Sequence, residues 1–120
     1  MKPLLACVAL SIAPLAAQAA PLNKEMTSLA TDRGCMLCHW ARPPRPTVES
    51  VPPPAPSLEE IGDRYRGQRG AENRLVGIVM RGSGLKDRHW AGSTSAFQMP
   101  PNEVEISEAE ARKLIRWVLK

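Results

Sequence analysis

Bulky rings are scarce in this chain: three tryptophans, one tyrosine and one phenylalanine among 120 residues. A chain this short forms one small core and cannot support two, and so few large side chains leave that core poorly filled. The centre is therefore a candidate to hold something other than side chains. A second long apolar run is also missing. The stretch from Leu4 to Ala17 falls short of the roughly 20 residues a membrane span needs, and polar sequence follows it at once. No stable membrane insertion is expected of the processed chain. There is no phosphate-cradling glycine loop, no internal repeat and no strand of convincing length. The formal charge of +4 is too modest to make nucleic acid an expected partner.

Cysteine is sparse too, and its placement is informative. Cys7 lies in MKPLLACVALSIAPLAAQAA, which has the lysine, apolar run and small-residue pattern Ala17-Gln18-Ala19 of a secretory signal peptide. Cleavage is expected after Ala19, because a cut after Ala20 would put Gln18 three positions back and Pro21 just beyond. Lipidation at Cys7 is not expected, since no membrane-threading stretch precedes it. Residues 1–19 thus read as a signal peptide and 20–120 as a single exported domain. Only Cys35 and Cys38 remain in it.

The rest reads as helices and loops. In PLNKEMTSLATDRG, Leu22, Met26 and Leu29 recur at helical spacing and Gly34 stands as a stop. Seven of the 12 prolines fall between 43 and 56, so residues 40–56 form a proline-rich loop with an extended backbone. Ser57-Leu58-Glu59-Glu60 is a capping box that opens a helix with Leu58, Ile61 and Tyr65 on one face. AENRLVGIVMRG predicts a third helix with Leu75, Ile78 and Val79 together, closed by Gly82. Residues 83–104 show no period and read as a long loop, which needs a function or a partner to hold it. Ser107-Glu108-Ala109-Glu110 is a second capping box, followed by Ala111, Leu114, Ile115 and Val118 on one face, widened by Trp117 and Leu119. The class is all-α, about four short helices with long loops.

The stretch GCMLCHW concentrates the chemistry. A disulfide between Cys35 and Cys38 would close too small a loop to stabilise much, and redox-active versions sit in a βαβ setting absent here. Zinc would need Cys35, Cys38, His39 and His89, but His39 directly follows Cys38, and zinc ligands are usually spaced by two or more residues. C-x-x-C-H is the attachment signal of a c-type haem: two thiols form thioethers to the vinyl groups and the adjacent histidine meets the iron. One haem c, covalent through Cys35 and Cys38 and ligated by His39, is the expected cofactor. For the sixth ligand, Met36 is inside the attachment turn and Met26 on the helix feeding it, while Met80 sits on an apolar helical face as core filling. Met99 lies in the unexplained loop, stiffened by Pro100 and Pro101, and is the expected ligand. A ligand from His89 is the alternative.

CMLCH near the mature start, FQMPPN some way on and a capped terminal helix ending LIRWVLK resemble the small class I cytochromes c of the bacterial periplasm. The resemblance covers most of the mature chain and includes APSLEEIGDRYRG, similar to the family's Gly-Pro segment, with Ala55 where glycine is common. It implies the small cytochrome c fold around one haem, a periplasmic one-electron carrier rather than an enzyme, and a monomer. It implies that the Pro56 carbonyl, or that of Pro54 in this lengthened loop, accepts a hydrogen bond from His39, and that the Trp90 indole donates to a haem propionate. Phe97 could shield the methionine sulfur. Arg42, Arg45, Arg64, Arg66, Arg69, Arg74, Arg81, Lys86 and Arg88 could ring the exposed edge and steer redox partners with acidic docking surfaces. The rival readings are a tightly bound electron-transfer subunit of a larger dehydrogenase and a haem peroxidase or gas-binding protein.

Overall fold

The computed structural model describes residues 23–42, 52–84, 89–95 and 98–120. The expected signal peptide, Leu22, most of the proline-rich loop with Arg45, Lys86, Arg88 and Phe97 lie outside the described residues. Helix α1, Lys24–Asp32, starts at Asn23, whose side-chain oxygen accepts from the amides of Glu25 and Met26. That cap serves two amides that have no partner inside the helix. Met26 and Ala30, one turn apart, are buried and Leu29 beside them is half-buried. The helix stops where Gly34 takes a left-handed φ of 74°, a conformation open to glycine at little cost. The chain passes straight into one 3₁₀ turn, Cys35–Leu37.

Helices α2, Leu58–Tyr65, and α4, Glu108–Val118, begin at the expected capping boxes, with Ser57 and Glu60 and then Ser107 and Glu110 exchanging hydrogen bonds. Ile106 and Ala111 flank the second box at the positions a hydrophobic staple joins, and both are buried. Helix α3 runs Ala71–Arg81. The apolar face expected of it is rotated: Ala71, Leu75 and Val76 are buried, whereas Ile78 and Val79 are only half-buried. The cause is that α3 packs on α4, which covers the first stripe and leaves the second facing elsewhere.

Helix α4 is the hub, packing against α1, α2 and α3 through Ala111, Leu114 and Ile115, all buried. Val118, expected on the same face, is half-buried, and its carbonyl instead meets α2 at Gly62. Ion pairs surround these contacts: Arg33 with Glu110 at 2.7 Å, Lys113 with Glu25, and Arg112 and Arg116 with Glu72 at 2.9 and 3.0 Å. Exposed pairs of this kind contribute at most about 1 kcal/mol each, so the apolar stripe decides the packing. Among the described residues the sheet content is a single bridge between Ala91 and Thr94, and no helix is long and apolar enough to cross a membrane. The fold is all-α, as the sequence implied.

Candidate functional site

The 3₁₀ turn after Gly34 presents the cysteines. His39 N–H donates to the Cys35 carbonyl at 3.0 Å and Leu37 N–H to that of Gly34 at 3.1 Å, which closes the turn and places the two thiols and the imidazole within it. Cys35 is half-buried and Cys38 exposed, and both are free. Beyond the turn, the first amides of α2 are satisfied from outside: Leu58 N–H donates to the Trp40 carbonyl at 2.7 Å and Glu59 N–H to that of Ala41 at 3.2 Å. Amides at a helix start lack internal partners, so these bonds bind the chain after His39 to the head of α2. They bring buried Pro56 under the imidazole, and His39 Nδ1–H donates to its carbonyl at 2.8 Å. The proline that meets His39 is Pro56, not Pro54.

That bond has an electronic consequence. With its proton on Nδ1, the neutral ring keeps a lone pair on Nε2, the form in which histidine binds metal. Burial pushes the His39 imidazole below its ordinary 6.5, against the opposing pull of the Pro56 carbonyl. Burial also pushes the Cys35 thiol above its ordinary 9.0, with its own backbone working weakly the other way. Redox-active C-x-x-C pairs carry a lowered thiol value, the opposite of the direction at Cys35. Nor do Cys35, Cys38, His39 and His89 gather into a group that could hold a zinc ion.

Met99 is held by the chain just past α3. Its N–H donates to Ser83 Oγ at 2.9 Å and its carbonyl accepts from Ser83 N–H at 3.0 Å. Asn102 turns back onto the end of α3, its N–H and Nδ2 reaching the Val79 carbonyl at 3.1 and 3.2 Å and Nδ2 also reaching that of Pro100 at 2.7 Å. Carbonyls in a last helical turn lack internal partners, so the loop completes α3 while α3 fixes the loop. Gly82, at φ 79°, permits the approach: a Cβ there would stand 2.7 Å from the Met99 oxygen and 2.9 Å from the Pro101 nitrogen. Gly82 was legible as a helix stop, but Ser83 and Asn102 carried no assigned role. The signal was the Gly-Ser pair after the helix and the asparagine closing MPPN.

Trp90 is half-buried, its carbonyl accepting from Ser93 N–H at 3.0 Å and Thr94 Oγ1 at 3.3 Å. Ser95 N–H donates to the Pro53 carbonyl at 2.8 Å, joining this loop to the proline-rich segment. The arginines expected to form a ring are not equivalent. Arg64 stacks over Trp90 at 4.9 Å, Arg64 and Arg74 both lie over buried Tyr65 at 5.9 and 5.2 Å, and Arg66 pairs with Asp63 at 3.0 Å.

These residues suit a haem in one further respect. Met36, Ile61, Ile78, Val79, Met80 and Trp90 pack on the core yet stay only partly buried, so apolar surface is left that side chains do not cover. An apolar face, two free thiols and a histidine with a free Nε2 make a donor set and a lining that fit a covalently held tetrapyrrole.

No family model matches the chain. It is 35% identical over 96 residues to cytochrome c2 of Rhodocyclus tenuis, covering 79% of this chain and 90% of the relative. It is 33% identical over 93 residues to cytochrome c2 of Rubrivivax gelatinosus, covering 77% and 92%. Among solved structures, wild-type Nitrosomonas europaea cytochrome c552 is 28% identical with a TM-score of 0.54, covering 78% of this chain and 96% of that one. Relatives at this identity, spanning most of both chains, show that the chain belongs to the small class I cytochromes c, electron carriers built around one c-type haem.

Proposed function

We propose that Cys35 and Cys38 hold the haem through thioethers, that His39 and Met99 ligate its iron, and that residues 20–120 work as a freely diffusing monomer in the periplasm after removal of residues 1–19. The observation that carries this reading is the 2.8 Å bond from His39 Nδ1–H to Pro56, which leaves Nε2 available and fixes the ring. A ligating histidine whose other nitrogen donates to a carbonyl is both oriented and made more basic. The bound haem supplies a one-electron couple between Fe(III) and Fe(II).

The chain's own residues do the rest. Ser83 and Asn102 hold the Met99 backbone against α3, so a thioether is presented without search. Ile61, Ile78, Val79 and Met80 offer apolar surface that keeps water from the ligands, which disfavours the extra charge of the oxidised state. With His39 and Met99 holding the haem, no ligand position would be left for a substrate, and the group would supply electron transfer without bond changes. Little rearrangement accompanies it, because each ligand is fixed by bonds made before the electron arrives. The basic residues favour redox partners with acidic docking surfaces.

The test is optical. Protein matured in a host that assembles c-type cytochromes is expected to keep its pigment in acidified organic solvent and to show a ferric sulfur-to-iron band that Met99→Ala abolishes. A native high-spin ferric spectrum would refute the ligand set. Size exclusion of a native extract distinguishes a free carrier, eluting at the mass of one small domain, from a permanent subunit.

A further inference from the structure

Five side chains outside the ligand set form a connected cluster. Tyr65, at the end of α2, is 4% exposed, and its hydroxyl bonds to Nδ1 of His89 at 2.5 Å. The two rings lie 6.0 Å apart at 41°. His89 is exposed and directly precedes Trp90, whose ring lies under the Arg64 guanidinium at 4.9 Å. Arg64 and Arg74 also lie over the Tyr65 ring. A cation over an aromatic face within about 6 Å is attracted by the ring quadrupole.

The direction of the central bond follows from burial. A tyrosine hydroxyl carries one proton, and a buried donor without an acceptor is costly. If His89 donated from Nδ1, that proton would have no acceptor among the described residues. Donation from Tyr65 to an unprotonated Nδ1 satisfies both groups and puts the imidazole proton on Nε2. The bond therefore fixes the His89 tautomer and ties the loop at Trp90 to α2, the helix that supplies Arg64.

We propose that Tyr65 is a positioning residue for the carboxylate end of the haem: its bond to His89 holds the Trp90 indole and the Arg64 guanidinium stacked on it as a paired donor and cation for a haem carboxylate. This rests on the reading of Trp90 as a carboxylate donor. Arg64 set beside a carboxylate offsets its negative charge, and so raises the reduction potential. Freed from Tyr65, the Trp90 loop and the guanidinium lose their common register.

The experiment uses the mature holoprotein. The chain has two histidines, and with His39 on the iron the second imidazole signal belongs to His89. Long-range proton–nitrogen correlation spectra at about pH 8, where a neutral ring is the ordinary form, are expected to show His89 with its proton on Nε2, and a mixture of tautomers in Tyr65→Phe. Spectroelectrochemistry of the wild type, Tyr65→Phe, Arg64→Gln and the double variant is expected to give lower potentials in both single variants. The Tyr65→Phe change corresponds to a roughly two- to fivefold change in the equilibrium constant against a redox standard. The double variant should shift by less than the sum of the two single shifts, since both changes act on the one pair of Trp90 and Arg64. A proton on Nδ1 in the wild type, or single shifts that simply add, would overturn the role of Tyr65. An unchanged potential in Trp90→Phe would overturn the proposal through the reading of Trp90 on which it rests, even with the tautomer as expected.

Discussion

At the scale of single residues, the charges that matter to stability are away from the haem ligands. Glu110 is drawn from an ordinary 4.5 to about 2, first by its hydrogen bond to Arg33, then by the amide and hydroxyl of Ser107. One carboxylate thus closes the α4 cap and bridges to the end of α1. Its contribution is fully present above about pH 4.5, where the group is ionised in the folded and unfolded chains alike. Between about 4.5 and about 2 the unfolded chain takes up a proton that the folded chain refuses, so the contribution is lost across that window. Chemical denaturation at a series of pH values should find Glu110→Gln less stable than the wild type above the window and the two converging as pH falls through it. A deficit that does not change with pH would show that Glu110 acts by packing and not by charge. Of the candidate site, Cys35, Cys38, His39 and Met99 stood out in the sequence as candidates because chemistry fixes their spacing or isolates them in a loop. Ser83, Asn102 and the pairing of Tyr65 with His89 were not, because each acquires its role only when a loop folds back on a helix distant in sequence.

At the scale of elements, the α2–α4 contact turns on Gly62. A glycine inside a helix costs roughly 1 kcal/mol against alanine, yet this one is buried in the second turn of α2. A Cβ there would collide with the Val118 carbonyl oxygen, a backbone atom that cannot swing aside. Gly62→Ala should therefore destabilise despite its better helix propensity, by roughly 1–3 kcal/mol as overpacking typically does. Thermal denaturation decides the sign, and a variant as stable as the wild type would mean that α4 can shift. The helices themselves were legible, since Ser57 and Ser107 announce two starts, and Gly34 and Gly82 two stops, by local bonding alone. The α3 face was misplaced by one stripe because periodicity reports that Leu75, Val76, Ile78 and Val79 are apolar but not which neighbour covers them. Gly62 gave no warning for the same reason: its partner is a backbone oxygen 56 positions away along the chain.

At the scale of the whole molecule, the buried apolar residues are mostly small or aliphatic, with Tyr65 as the one ring among those described. Ile61, Ile78, Val79, Met80 and Trp90 remain partly open beside them. Burial of apolar surface is the main term favouring a fold, at about 25 cal/mol per Å², and small domains hold little in reserve. A haem tethered by thioethers stays on the unfolded chain, so it stabilises through the contacts made only on folding, and covering those open side chains supplies the burial that they lack. The double variant Cys35→Ser/Cys38→Ser, unable to form thioethers, should then lose cooperative thermal unfolding when freed of haem. Its far-UV circular dichroism should fall well below that of the holoprotein, and added haem should restore helix reversibly through His39 and Met99. Undiminished helix and an unchanged melting transition in the haem-free variant would mean that α1, α3 and α4 close a sufficient core alone. The cofactor would then be a passenger in the fold and not part of its centre.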